Sequence, residues 1–294
     1  PLPCTGGHEV SGEIVALGDG VNKKMWAPGD RVAVRLLYNC GECYYCRTGH
    51  ANLCERAQKK PVREGLLIGP GGLCDYVIVN TGYLFKIPDT LSYEEASLTE
   101  PLACVVHSVT KANIQLGEDV VVIGGGIMGQ YHVMLAKRRG ARVIMSEVDE
   151  SRRALARKLG ADITFNPMEK DPVEYVKSLT EGRGADVVFN TTAIPSVVPQ
   201  AIAMTGKAGR MIQYSSMHPD APAPVSPQML HGNEPILTGS ISPDVHDFFT
   251  ANRLLSGGII DCKPLIAKKF PFEQAQQAFE AAIVPGTFRV IITD

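Results

Sequence analysis

Apolar positions in the first hundred residues come in short β-branched runs cut by Gly, Pro, Asn and Asp, the rhythm of strands and tight turns. Runs at 13–17, 30–36 and 75–79 predict strands of an irregular barrel. Ser92, with Glu95 three positions later, predicts a capping box that opens a helix. That helix should stop near the Glu100-Pro101 step, because proline disfavours helical geometry in the residue before it, and a second helix should follow from about Ala103.

From Asp119 the pattern changes to strand, glycine turn, helix, strand, the alternation of a parallel sheet covered by helices. Strands are predicted at 120–123, 142–147, 163–166, 186–191, 210–214 and 235–239, and six of them fit a doubly wound α/β sheet. The first helix of this half carries apolar Val133, Met134 and Ala136, ends in basic Lys137 to Arg139 where cations complement its dipole, and is closed by Gly140. A helix over 273–282 and a strand over 289–293, parted by the Pro285-Gly286 turn, end the chain.

At 294 residues, two domains or one inserted in another is the natural size class. A net charge of −2 provides no broad field for nucleic acid. No apolar run reaches the ~18 residues of a membrane span and no signal segment opens the chain, so a cytoplasmic protein without membrane or nucleic-acid partners is expected. Four of the eight cysteines fall in one short stretch, unlike a secreted disulfide scaffold, and point to metal.

Strand 120–123 feeds directly into Gly124, Gly126 and Gly129, a GxGxxG between strand and helix. Gly124 permits the turn, Gly126 lets backbone approach a pyrophosphate, and Gly129 allows close helix-strand packing while the helix N-terminus faces the anion. Glu147, at the end of the second strand, can accept from ribose hydroxyls and repel an added phosphate, which favours NAD over NADP. Asp149 could serve instead, and Arg152 is weaker support for a 2′-phosphate.

Cys40, Cys43, Cys46 and Cys54 form CxxCxxCx7C, which brings four thiolates to one tetrahedral zinc. Four thiolates leave no room for water, so this ion should be structural. Gly7, His8, Glu9 and Gly12 present an imidazole beside a carboxylate on a glycine-hinged turn. Such a turn could serve an open metal site, but by spacing alone a satisfied structural histidine is the better explanation. His107 and His132 read as packing or surface groups, and Glu100 by itself carries no assignment.

Taken together, these residues resemble the zinc-containing medium-chain alcohol dehydrogenases, in particular the polyol (sorbitol-like) and threonine dehydrogenase branch. The resemblance spans essentially the whole chain. It is carried by Gly7-His8-Glu9 with Gly12, Gly18 and Val21, by Pro28-Gly29-Asp30-Arg31-Val32, by the four cysteines, by Glu100-Pro101-Leu102-Ala103, and by the Gly124 turn ending at Glu147. It implies an α/β protein in which a GroES-like β-barrel catalytic domain (1–102 and 241–294) holds an inserted Rossmann NAD-binding domain (103–240). It also implies a catalytic zinc on His8, Glu100 and at times Glu9, with Arg289 at the cofactor pyrophosphate. A further cysteine ligand is implied upstream of Gly7, so a preceding segment is expected. At 239–243, where sorbitol-type enzymes carry an arginine and an aromatic that grip the polyol, this chain has Gly-Ser-Ile-Ser-Pro, which argues against sorbitol itself. The implied activity is zinc-dependent hydride transfer from a secondary alcohol (polyol, cyclitol or sugar-derived) to NAD by a homodimer or homotetramer. The alternatives are a threonine 3-dehydrogenase-like activity, or a noncatalytic nucleotide-binding relative that keeps only the structural zinc.

Overall fold

The computed structural model describes residues 4–57 and 69–293. The chain divides into two compact units, one of residues 1–106 with 242–294 and one of residues 107–241. No helix among the described residues is long and apolar enough to cross a membrane.

The first unit opens with strands β1 (Glu9–Glu13) and β2 (Arg31–Arg35), helix α1 (Tyr44–Arg47), strand β3 (Leu84–Lys86), and helices α2 (Tyr93–Ser97) and α3 (Thr99–Ala112). The three strands form an antiparallel sheet in the order β1-β2-β3, with Glu9 opposite Arg35 and Val32 opposite Lys86. The strand expected at 13–17 lies earlier. The β1–β2 pair closes where Ile14 N–H donates to Asp30 O at 3.0 Å and Gly29 N–H to Ile14 O at 2.8 Å, and the chain then turns away. Residues 75–79 are not a strand: Val77 and Val79 pack by side chain on Ile14, Val32, Val34 and Leu36. Val77 and Val79 are therefore apolar for packing while Ile78 is exposed, and no ladder forms there among the described residues.

Ser92 and Glu95 form the reciprocal capping box at the start of α2. The expected stop at Glu100-Pro101 is corrected, because α2 already ends at Ser97 and α3 begins at Thr99, which puts Pro101 third in a new helix. A first-turn N–H has no intrahelical partner, so proline loses nothing there.

The second unit alternates strictly: β4 (Asp119–Ile123), α4 (Ile127–Arg138), β5 (Arg142–Ser146), α5 (Glu150–Leu159), β6 (Ile163–Phe165), α6 (Pro172–Leu179), β7 (Ala185–Asn190), α7 (Val197–Met204), β8 (Thr205–Gln213), α8 (Pro227–Asn233) and β9 (Ile236–Gly239). All six strands are parallel, in the order β6-β5-β4-β7-β8-β9. The order reverses beside β4, where open α/β sheets bind ligands. β4 is buried along its whole length, as a central parallel strand with helices on both faces must be. Each fully buried Val there contributes roughly 1.5–3 kcal/mol relative to exposure.

The chain then returns to the first unit with α9 (Val245–Ser256), β10 (Ile266–Pro271), α10 (Ala275–Ala282) and β11 (Arg289–Thr293), β10 and β11 pairing in parallel. Among the described residues the first unit's ladders are thus one three-stranded and one two-stranded sheet.

Candidate active site and metal centres

The four cysteines converge. Cys40 and Cys43 lie in the loop before α1, Cys46 within it, and Cys54 caps the 3-10 turn Ala51–Leu53. Sγ–Sγ separations are 3.5 Å for Cys43–Cys46, 3.6 Å for Cys54–Cys40, and 4.0 Å for Cys40–Cys46 and Cys43–Cys54. These are far from a disulfide, whose sulfurs sit about 2.05 Å apart. They match a tetrahedron of thiolates around zinc, whose ~2.3 Å Zn–S bonds set sulfurs roughly 3.8 Å apart. Backbone N–H groups already point at the sulfurs: Cys40 at Cys54 (3.3 Å), Cys43 at Cys40 (3.4 Å) and Arg56 at Cys54 (3.3 Å). Such donors favour thiolate, and backbone hydrogen bonds from Cys46 and Glu55 pull the Cys43 thiol down to about 6. Burial pushes Cys46 up to about 12, the opposite sense, as expected when several thiols share one small space without a cation.

A second cluster joins residues far apart in sequence. The ligand atoms of His8, Glu9 and Glu100 lie within 4.8 Å of one another, with His8 Nε2 3.9 Å from Glu100 Oε2. Gly7, at φ +77°, aims His8. A Cβ on Gly7 would lie 2.8 Å from Leu73 Cγ, so glycine is required by both conformation and space. Glu100 is delivered by the first turn of α3, where a carboxylate meets the positive end of the helix. Its side chain is 5% exposed and that of His8 is 49% exposed. Burial pushes the Glu100 carboxyl above its ordinary range, His8 pulls against this, and Glu9 pushes with it. A buried carboxylate that needs positive charge beside a half-exposed imidazole and a second carboxylate makes a donor set that would suit a zinc ion.

Two features of this cluster had no sequence signal. Arg289, expected at a cofactor, grips Glu9 by a two-pronged ion pair, with Nε donating to Oε2 at 2.7 Å and Nη2 to Oε1. The Cys104 thiol, one turn beyond Glu100, donates to Glu100 Oε1 at 3.4 Å. The first pair is separated by 280 positions, and the second reads as ordinary helical spacing.

In the second unit, Gly124 (φ +97°) ends β4, and a Cβ there would meet Thr191 Oγ1 and Thr192 Cγ2 at 2.8 Å each. A Cβ on Gly129 would fall 1.9 Å from Gly124 O, which measures how closely α4 approaches the turn. Gly126 caps α4 and has open space where a side chain would stand, so its backbone is bare to a ligand. Glu147 is buried just past β5, accepting N–H from Gly125 through Oε2 and from Asp149 through Oε1 (2.9 Å). The Asp149 side chain is engaged as the N-cap of α5, and Arg152 Nε is buried with no hydrogen-bond partner among the described residues. His132 is a packing group. It lies fully buried between Phe189 and Tyr214, with Nδ1 2.8 Å from Met128 O and Nε2 2.9 Å from Ser108 Oγ. The carbonyl requires Nδ1 to carry the proton, and burial draws the ring's pKa down to about 4.

Comparisons with known proteins agree with this geometry. Residues 1–89 match the alcohol dehydrogenase GroES-like domain and residues 128–257 match the zinc-binding dehydrogenases. The chain is 33% identical to the D-arabitol-phosphate dehydrogenase of Enterococcus avium, over 99% of the chain and 81% of that protein. It is also 33% identical to the L-threonine 3-dehydrogenase of Caldanaerobacter subterraneus, over 99% of the chain and 82% of that protein. A zinc-binding dehydrogenase from Sinorhizobium meliloti, solved with NADP bound, covers 100% of the chain and 84% of its own length, with a TM-score of 0.90 and 29% identity.

Proposed function

Since the chain belongs to the zinc-containing medium-chain alcohol dehydrogenases, in their polyol and threonine dehydrogenase branch, we propose that it oxidises a secondary alcohol of the polyol, cyclitol or sugar-derived class with NAD as hydride acceptor. The observation that carries this reading is the convergence of His8, Glu9 and Glu100 on one point, with Glu100 buried. His8 and Glu100 are the proposed zinc ligands. Zinc bound there supplies a Lewis acid that lowers the pKa of a coordinated hydroxyl.

The chain's own residues do the rest. Glu100 is held out of water, so its charge is favoured when a cation stands beside it. Arg289 clamps Glu9 and neutralises it, which fixes the second carboxylate as a positioning group or an exchangeable ligand. In the second unit the bare backbone at Gly126 and the N-terminus of α4 are the proposed pyrophosphate cradle, with Gly124 and Gly129 shaping the turn. Glu147, already oriented by two backbone N–H groups, is proposed to receive the ribose hydroxyls, supporting NAD over NADP. On this reading residues 1–102 and 241–294 hold the metal chemistry and 103–240 the nucleotide. A homodimer or homotetramer in the cytoplasm belongs to the same proposal, and light scattering checks the assembly.

The test is NAD reduction on a panel of sorbitol, xylitol, inositols, sugar acids and threonine, with and without a zinc chelator. Chelator-sensitive turnover supports the reading. Silence across the panel despite measurable NAD binding would point to a noncatalytic relative.

A further inference from the structure

Gln130 sits near the start of α4 and is 0% exposed, in the kind of place where an apolar side chain ordinarily packs. Its Nε2 donates to Gly125 O at 2.9 Å and to Arg152 O at 3.0 Å, while Oε1 is buried with no hydrogen-bond partner among the described residues. Both neighbours are carbonyl oxygens, so the nitrogen is the end of the amide that meets them. A methionine would fill the same space without an orphan oxygen, so what the amide adds is its pair of N–H bonds.

Those bonds tie Gly125, within the glycine turn, to Arg152, near the start of α5. The other side of Gly125 is tied as well. Its N–H donates to Glu147 Oε2, and Glu147 is itself buried and held at Oε1 by the Asp149 N–H. Both backbone polar atoms of Gly125 are therefore taken by buried side chains from outside the turn. A Cβ on Gly125 would lie 2.8 Å from Glu147 Cγ and 3.2 Å from Arg152 Cβ, so this clamp needs a glycine between the motif positions Gly124 and Gly126.

The peptide joining Gly125 to Gly126 is trans, and a planar trans peptide points its C=O and N–H in opposite directions. Fixing Gly125 O on the buried amide thus turns the Gly126 N–H away from it, at a residue with no atom within 4 Å of where a side chain would stand. The Gln130 N–H donates to Gly126 O at 2.9 Å, so one residue holds two successive carbonyls of the turn, one by its side chain and one by its backbone.

We propose that Gln130 is a positioning residue for the dinucleotide: with Glu147 it clamps Gly125 so that the Gly126 N–H, and not that of Gly125, is presented to the pyrophosphate. The proposal rests on the cofactor cradle proposed above for its ligand and on the two-sided clamp for its geometry. Binding is therefore measured without turnover, on the full chain with ADP as the pyrophosphate probe. In the first measurement, amide exchange of the isotope-labelled glycines is followed by NMR. The Gly125 amide should be protected with or without ADP, whereas the Gly126 amide should exchange quickly alone and slow about tenfold or more when ADP binds. A Gly125 amide protected only by ADP, or a Gly126 amide that bound ADP leaves unchanged, overturns the proposal. In the second, calorimetry compares the parent with Gln130→Met. The Kd for ADP should rise about tenfold, the worth of one hydrogen bond to a charged group, and that for adenosine less than about twofold. Equal losses for ADP and adenosine show a merely structural role and overturn the positioning role, as does an unchanged affinity for ADP. A parent protein that binds neither ADP nor NAD overturns the cofactor cradle itself, and the clamp falls with it.

Discussion

The two metal clusters are built on opposite plans. The cysteine cluster draws four like ligands from fifteen consecutive residues and closes on itself, with backbone N–H groups trained on the sulfurs. The His8–Glu9–Glu100 cluster draws an imidazole and two carboxylates from positions more than ninety residues apart, one ligand buried and one half exposed. A closed sulfur tetrahedron has no position for a reactant and can only hold the chain together, whereas a mixed set with an exposed face can exchange a ligand. The open cluster also bears the electrostatic strain, since its buried carboxyl is pushed up by desolvation and by a second acid.

The largest effect expected from that contrast is at Glu100. Glu100→Ala should lower kcat/KM by about a thousandfold or more, roughly 4 kcal/mol of transition-state stabilisation, and remove one zinc per chain while NAD affinity stays near that of the parent. Turnover within tenfold of the parent would strike Glu100 from the ligand set.

Acid should act on both clusters and on the fold at once, and His132 separates these effects. Its folded pKa of about 4 lies below the ordinary 6.5, so the neutral ring is favoured in the fold. The stability it contributes is complete above pH 6.5, is lost as pH falls from 6.5 toward 4, and is constant below that. The loss is on the order of 3 kcal/mol. Urea unfolding at pH 7 and pH 4.5 on the parent and on His132→Phe measures it: the parent should lose more stability than the variant across that interval.

Breaking the closed cluster should cost less activity and more structure. Cys43→Ser should release one zinc and lower the melting temperature by roughly 5–10 °C, about 2–3 kcal/mol for a domain of this size, with proteolysis first appearing at the cysteine loop. An equal zinc content in the variant would show that the thiolates do not hold the ion.

The smallest effect is at the clamp. Arg289→Met frees Glu9 and should change zinc affinity at the open cluster about tenfold, read by chelator competition, with little change at the cysteines. If NAD affinity falls while zinc affinity holds, Arg289 serves the cofactor and its ion pair with Glu9 is incidental.

Much of this was legible in the order of residues, and the exceptions share a cause. Cys40 to Cys54 announce a metal because ligand spacing along one loop is itself the geometry. The six parallel strands and the turn of Gly124, Gly126 and Gly129 are legible because burial on both faces and the need for absent side chains leave marks at consecutive positions. The run at 75–79 misled because the same β-branched residues serve a ladder or a packed loop, and only the availability of backbone partners decides between them. Pro101 misled for a related reason: a helix start and a helix stop both tolerate proline, and the end of α2 at Ser97 settled which this was.

The sequence by itself therefore determined the elements whose physics is local: the periodicity of burial, the caps, the glycine turn and the four-thiolate loop. Only the tertiary structure decided that Glu100 meets His8 and that Arg289 closes on Glu9 across 280 positions. The physical reason is that charge pairing and desolvation depend on distance in space. Residues remote along the chain acquire those distances only when the core has packed around them.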